Sequence, residues 1–243
     1  MNTTYLKYEV IRTLRNRQGF LFSLAFPLVM YFLLAGSSKK DTNLSDTGIP
    51  AVTYYMVGLI TFGTIGAVMS GGARIAVDRQ VGWNRQLRLS PLSPRTYLAS
   101  KLLLGYLIAA MTIIVLYAAA ISMGATMPLS RWLEMTLFIL LGLIPFAALG
   151  IWVGHQFHVD AIGPIMGGGM ALFAFLGGTW FPLGDGVLDE IGSFLPSYWV
   201  VQAGHVGVGG DVWGIKGWLV IAIWTVAAVA LAVRAYQADT QRA

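Results

Sequence analysis

The chain has 243 residues, of which 56% are apolar and 11% charged, against roughly 45–50% and 25% in soluble domains. Such a composition cannot cover a soluble surface with polar groups, whereas a surface facing lipid needs none. Cysteine is absent, which excludes a disulfide framework, a thiolate metal site and a cysteine nucleophile, and the net charge of +5 is distributed as membrane topology rather than gathered for nucleic acid.

Within residues 1–19, Leu6, Val10 and Leu14 recur every four residues, with Glu9, Arg12 and Arg15 opposite. This predicts a basic helix lying on the inner leaflet. Six segments then carry no Asp, Glu, Lys, Arg or His: 20–36, 51–73, 102–125, 135–154, 161–182 and 217–233. Their lengths are near the ~20 residues a helix needs to cross a ~30 Å hydrocarbon core. Pro27, Pro145 and Pro164 fall inside them, which a helical bundle tolerates because neighbours satisfy the freed carbonyls. The first segment has no A-x-A cleavage pattern and follows a long basic lead, so it reads as a retained anchor.

With the N-terminus in the cytoplasm, 12 Lys and Arg fall inside and 4 outside. The positive-inside rule therefore predicts six spans with both termini in. Residues 74–101 form the longest inner stretch, and Ser93-Pro94 suits an N-cap and first turn of the third span. Residues 183–212 lie outside. There Val187, Ile191, Phe194, Leu195 and Tyr198 share a helical face with Asp189 opposite, predicting an amphipathic helix or hairpin. No repeat or linker interrupts the chain, so a single all-α membrane domain over residues 1–243 is expected.

Several chemistries are missing. No G-x-x-x-x-G-K-[ST] phosphate loop occurs, and Gly167-Gly168-Gly169 sits in an apolar span without the strand or lysine of a phosphate cradle. Gly163 and Gly167 instead form a small-xxx-small pair for helix packing, within the chain or between two chains. No ionisable residue lies mid-span, as a self-powered transporter would need. His155, His158 and Asp160 read as a solvated inner loop rather than a metal site, and Asp189-Glu190 as a solvated helix face.

Three stretches carry a family resemblance. Residues 78–101 run from Asp78-Arg79 through Gly82, Leu89, Ser90-Pro91 and Ser93-Pro94 to Tyr97 and Lys101. The fifth segment ends Gly177-Gly178-Thr179-Trp180-Phe181-Pro182, and Leu195-Pro196-Ser197-Tyr198-Trp199 precedes the last. In this order the chain resembles an ABC-2 type transporter permease over its whole length, with Asp78 where Glu is commoner. The resemblance implies a half-transporter in the cell inner (plasma) membrane, paired with a second permease (as homodimer or heterodimer) and with cytoplasmic ABC ATPase subunits. ATP and Mg would be bound by those subunits, and no cofactor by this chain. The cargo would be a drug, an antibiotic or a lipid-like molecule. A lipid-linked glycan exporter, a Na+ exporter or a non-transport membrane scaffold are the alternatives.

The resemblance assigns ATPase coupling to Asp78, Arg79, Gly82, Arg85, Arg88, Leu89, Ser90 and Pro91. It also implies that substrate passes along the first, second and fifth spans. These carry Phe26, Tyr31, Tyr55, Met56, Phe62, Phe173, Phe175 and Phe181, adaptable surfaces for apolar ligands. Each of these side chains would equally suit lipid contact.

Overall fold

The computed structural model describes residues 3–15, 17–37, 49–83, 86, 93–184, 186–206 and 213–241. All the regular elements among them are helical. An N-terminal helix α1 (Thr3–Arg15) precedes α2 (Arg17–Ser37), α3 (Ala51–Gln80) and α4 (Pro94–Ser122). Then come α5 (Leu129–Gly142), α6 (Ile144–Gln156), α7 (Val159–Leu176), the short α8 (Val187–Gly192) and α9 (Pro196–His205), and α10 (Ile215–Gln241).

Five stretches are long and apolar enough to cross a membrane: Ala51–Gln80, Pro94–Ser122, Leu129–Gln156, Val159–Leu176 and Ile215–Asp239. Leu24–Ser37 of α2 is a shorter apolar helix. The chain is thus an all-α, multi-pass membrane protein, with five helical stretches long and apolar enough to span and one shorter apolar helix among the described residues, where the sequence predicts six spans. The span Leu129–Gln156 is interrupted at Leu143, where α5 ends and Pro145 opens α6. A proline ring clashes with the carbonyl four residues back and lacks the N–H that would continue the ladder.

The central element is α3, which packs against α2, α4, α6, α7 and α9. Glycines let it approach its neighbours: a Cβ on Gly72 would collide with the Gly150 backbone, and one on Gly71 would stand 2.8 Å from the Lys101 carbonyl. Around α3 gathers an apolar core that includes Tyr31, Met56, Leu116, Met135 and Phe146.

Of the expected outer stretch, residues 186–206 do not form one continuous amphipathic face. Leu195 precedes Pro196 and is extended (φ −101°, ψ 142°), so the chain turns between α8 and α9. Val187, Ile191 and Phe194 are exposed, whereas Leu195 and Tyr198 are half-buried. Indoles fasten this cap: Trp199 donates to the Ser193 carbonyl (2.9 Å) and Trp224 to that of Phe194 (2.9 Å).

An ionic cluster at the basic end of the bundle

The helices continue past the uncharged segments at the end that carries most of the arginines. There α3 runs on through Arg74 and Asp78 to Gln80, and α4 begins already at Pro94. Residues 74–101 are therefore helical at both ends. Ser93 caps α4 as its spacing predicts, its hydroxyl accepting from the Thr96 N–H at 3.2 Å. Gly82 terminates α3 with φ +70°, the left-handed region that glycine enters without penalty, and donates to the Arg79 carbonyl at 3.1 Å.

Between these helix ends lies a buried ionic cluster. Asp78 is 1% exposed, as is Lys101. The Lys101 ammonium meets the Asp78 carboxylate at 2.7 Å and is also paired with Glu9 of α1. Tyr97 donates its hydroxyl to Asp78 at 2.9 Å, and Arg12 reaches Asp78 at 3.2 Å. Beside them Arg74 donates to the Thr13 hydroxyl. Glu9, Arg12, Thr13, Arg74, Val77, Asp78 and Lys101 enclose a pocket of about 140 Å³. Burial, reinforced by the Glu9 and Asp78 charges, pushes the neighbouring Tyr5 hydroxyl up to about 12. Burial pulls the Arg12 guanidinium down, but Asp78 and Glu9 outweigh it and leave it raised.

This arrangement corrects the expected orientation of α1. Glu9 is 6% exposed and Thr13 2%, so these two turn onto the bundle, while Tyr8, Ile11 and Arg12 are exposed. Periodicity places apolar residues toward membrane. It does not register that Lys101, buried at the end of a span, requires carboxylates.

A second cluster ties α3 to α6 and α10. Arg79 meets Asp239 at 2.8 Å and donates to the Gly154 and Phe157 carbonyls at 3.3 Å each. His155 contacts the other oxygen of Asp239 at 3.0 Å and is 5% exposed. It therefore closes α6 against α10 instead of standing in a solvated loop. No group of three potential metal ligands occurs among the described residues.

Sequence comparison decides the family. A family model described as ABC-2 family transporter protein matches residues 37–234. The chain belongs to this family. YvfS, a candidate transport permease of Bacillus subtilis (strain 168), is 31% identical over 199 residues, 78% of each chain. Membership makes the protein a permease-type membrane subunit and implies an ABC ATPase as its partner.

In this ABC-2 permease the residues expected to couple to the ATPase divide into two groups. Asp78, Arg79 and Gly82 hold and terminate α3: the first two are engaged in the two clusters and the third ends the helix. Arg85, Arg88, Leu89, Ser90 and Pro91 lie outside the described residues. Tyr97 and Lys101, present in the same motif, fold back onto Asp78, so the motif's two ends meet in space.

The aromatic residues of the expected substrate path are not brought together in one surface. Tyr31 and Met56 are fully buried in the core. Phe26 stacks near Phe62 (5.6 Å between ring centroids), and Phe62 near Trp180 (6.0 Å), giving one aromatic run from α2 through α3 to the turn after α7. Phe175 and Phe181 pair at 5.3 Å and are each 42% exposed. Tyr55 and Phe173 are half-buried, Phe173 edge-on to Phe146. That turn is built by Gly178 (φ +70°), with the Thr179 N–H bonded to the Ala174 carbonyl at 3.0 Å. The Tyr54 hydroxyl reads its carbonyl at 2.6 Å.

Gly163 and Gly167 are not packed. A Cβ at either would meet nothing within 4 Å. The close crossings inside this chain use Gly71, Gly72, Gly105 and Gly150 instead. A separate cleft of about 430 Å³ between α4, α6 and α10 is lined by apolar residues such as Leu98, Leu102, Ile151 and Val233. It offers no charged group to a ligand.

Proposed function

We propose that this chain is the permease subunit of an ATP-driven exporter. It carries a hydrophobic or amphipathic small molecule across the inner (plasma) membrane, with both termini in the cytoplasm. ATP and Mg act on the partner ATPase, and a second permease completes the path.

One observation carries this reading above the others. Residues 81–93 emerge from two helices whose ends are held to each other and to α1 by Asp78, Lys101, Glu9 and Tyr97. Helix ends joined in this way would carry a displacement applied at them into α3 and α4 together. Arg85 and Arg88, three apart, would meet an acidic patch on the ATPase if the segment is helical there, and Leu89 an adjacent apolar pocket. The exposed apolar face of α7 and the aromatic pair Phe175–Phe181 are suited to an amphipathic cargo at the seam between two permeases.

The test uses cells expressing this chain with and without its ABC ATPase, loaded with a panel of amphipathic dyes. Efflux of at least one dye is expected only with both proteins present. Efflux by the chain alone, or stoichiometric ATP binding to the purified chain, would refute the half-transporter reading.

A further inference from the structure

The charges around the 140 Å³ pocket do not balance. Arg12, Arg74 and Lys101 bring three positive charges to it, Glu9 and Asp78 two negative ones. Both carboxylates are already engaged by Lys101 and Arg12. Arg74 is left over. It donates to the Thr13 hydroxyl, and no ion pair joins it to a carboxylate among the described residues. The Glu9 and Asp78 charges also act on it across the pocket, and its guanidinium carries five N–H donors in a planar fork, one of which the Thr13 hydroxyl accepts.

Among the described residues, Glu9 and Asp78 alone of the acids line the pocket. Of its 11 acidic residues, Asp239 is held by Arg79 and His155, and Asp160 opens α7. Glu134 pairs with Arg131, and Asp189 and Glu190 belong to α8. Residues 81–93, which leave α3 beside the pocket, contain Arg85 and Arg88 and no Asp or Glu. Three cations sharing two carboxylates in a partly buried pocket leave one positive charge uncompensated, which an anion from outside would offset.

Size and place narrow that anion. About 140 Å³ suits a tetrahedral oxyanion but not an organic substrate, whose sites run from roughly 300 Å³ upward. The pocket lies under α1 at the end of the spans, where a bilayer presents its phosphates. Tyr8 and Ile11 of α1 are 66% and 38% exposed beside it, and the Arg12 side chain is 55% exposed. We infer that this pocket binds the phosphate of one anionic phospholipid from the adjacent leaflet, with Arg74 and Arg12 as the gripping cations and Thr13 orienting Arg74. The inference stands apart from the transport reading, since it needs only the cluster and the bilayer.

Native mass spectrometry of the full chain in detergent, with added phosphatidylglycerol or phosphatidylcholine, tests it. One phosphatidylglycerol should be retained in preference to phosphatidylcholine. Arg74→Gln should weaken that retention by about tenfold or more, as loss of a charge-assisted hydrogen bond would, and Arg74→Lys should keep most of it. A phosphatidylglycerol with a photoreactive headgroup, applied to the wild-type chain, should label residues 9–13 or 74–78, a result that does not depend on any variant folding. Equal retention of both lipids, unchanged retention in Arg74→Gln, or labelling confined to other segments would overturn the proposal. Millimolar inorganic phosphate that displaces the lipid and itself remains bound would overturn the lipid assignment and leave a soluble-anion site.

Discussion

Helices α3 and α7 are both apolar enough to cross a membrane, yet 83% of the apolar window of α3 is buried inside the chain and only 6% of that of α7. Both are rich in glycine. On α3, Gly71 and Gly72 bring backbones together, and an added Cβ at Gly72 would strike α6. On α7, Gly163, Gly167, Gly168 and Gly169 face open space. In a membrane the same residue type serves a close crossing where a partner helix exists and marks a bare face where none does. Lipid and protein interior are equally apolar, so hydropathy alone does not distinguish hub from rim.

Breaking the hub should give the largest effect. Gly72→Leu sets a branched side chain against the Gly150 backbone, and overpacking typically costs about 1–3 kcal/mol, more when backbone must move. The expected result is loss of monodisperse protein on size-exclusion chromatography; a wild-type elution profile would contradict the packing described for α3.

The basic end of α3 should be nearly as sensitive. Lys101→Met strands Glu9 and Asp78 as buried carboxylates without their shared cation, a change that costs about 3–5 kcal/mol for a buried pair. A thermal shift in detergent should fall by many degrees. The exposed pair Arg131–Glu134 at the other end has side chains 43% and 34% exposed, and Arg131→Gln should change stability by no more than about 0.5 kcal/mol. Equal effects at the two sites would show that burial does not govern these ion pairs.

A pH effect follows from α9, which packs on α3. His205 lies near Tyr54, 5.8 Å between rings, bonds Gln202 at 3.1 Å, and leaves its Nε2 buried without a partner. Burial holds its pKa down to about 4, from an ordinary 6.5. The unfolded chain therefore binds the proton first, so stability is intact above about pH 6.5 and declines as pH falls toward 4. The decline should reach at most about 3 kcal/mol. His205→Gln should flatten the thermal-stability profile between pH 6.5 and 4; an unchanged slope would mean that His205 is not the responsible group.

The smallest effect on folding belongs to the rim. Gly167→Leu has open space around it and should alter monomer stability by no more than about 0.5 kcal/mol. If a second permease covers this face, native gels should show the assembly lost at unchanged monomer stability. Destabilisation comparable to Gly72→Leu would erase the distinction between the two helices.

Much of this architecture is legible in the sequence. Five of the six uncharged segments fall largely in helices long enough to span, and Ser93-Pro94 marks the start of α4. Other features are not legible because they depend on which helix ends become neighbours. Glu9 falls on the polar side of α1 by periodicity, but Lys101 draws it inward. His155 lies close in sequence to His158, yet its partner Asp239 is 84 residues away. The motif from Asp78 to Lys101 contains three members of the cluster, Asp78, Tyr97 and Lys101, without saying that they touch. Only the third dimension shows that an acidic residue, a tyrosine and a lysine at its two ends form one site.

The proposed role depends on motion entering α3 and α4 through residues 81–93, and reconstituted transport tests that most directly. The permease and its ATPase would be incorporated into proteoliposomes as wild type and as the double variant Arg88→Glu with Leu89→Ala. Losing an interface anchor costs about 2 kcal/mol or more, roughly a 30-fold weaker association. The variant should insert and melt like wild type, release the ATPase on purification, and lose ATP-driven transport. Normal ATPase co-purification with normal transport at equal protein levels would contradict the account and reduce the segment to an anchor for membrane orientation.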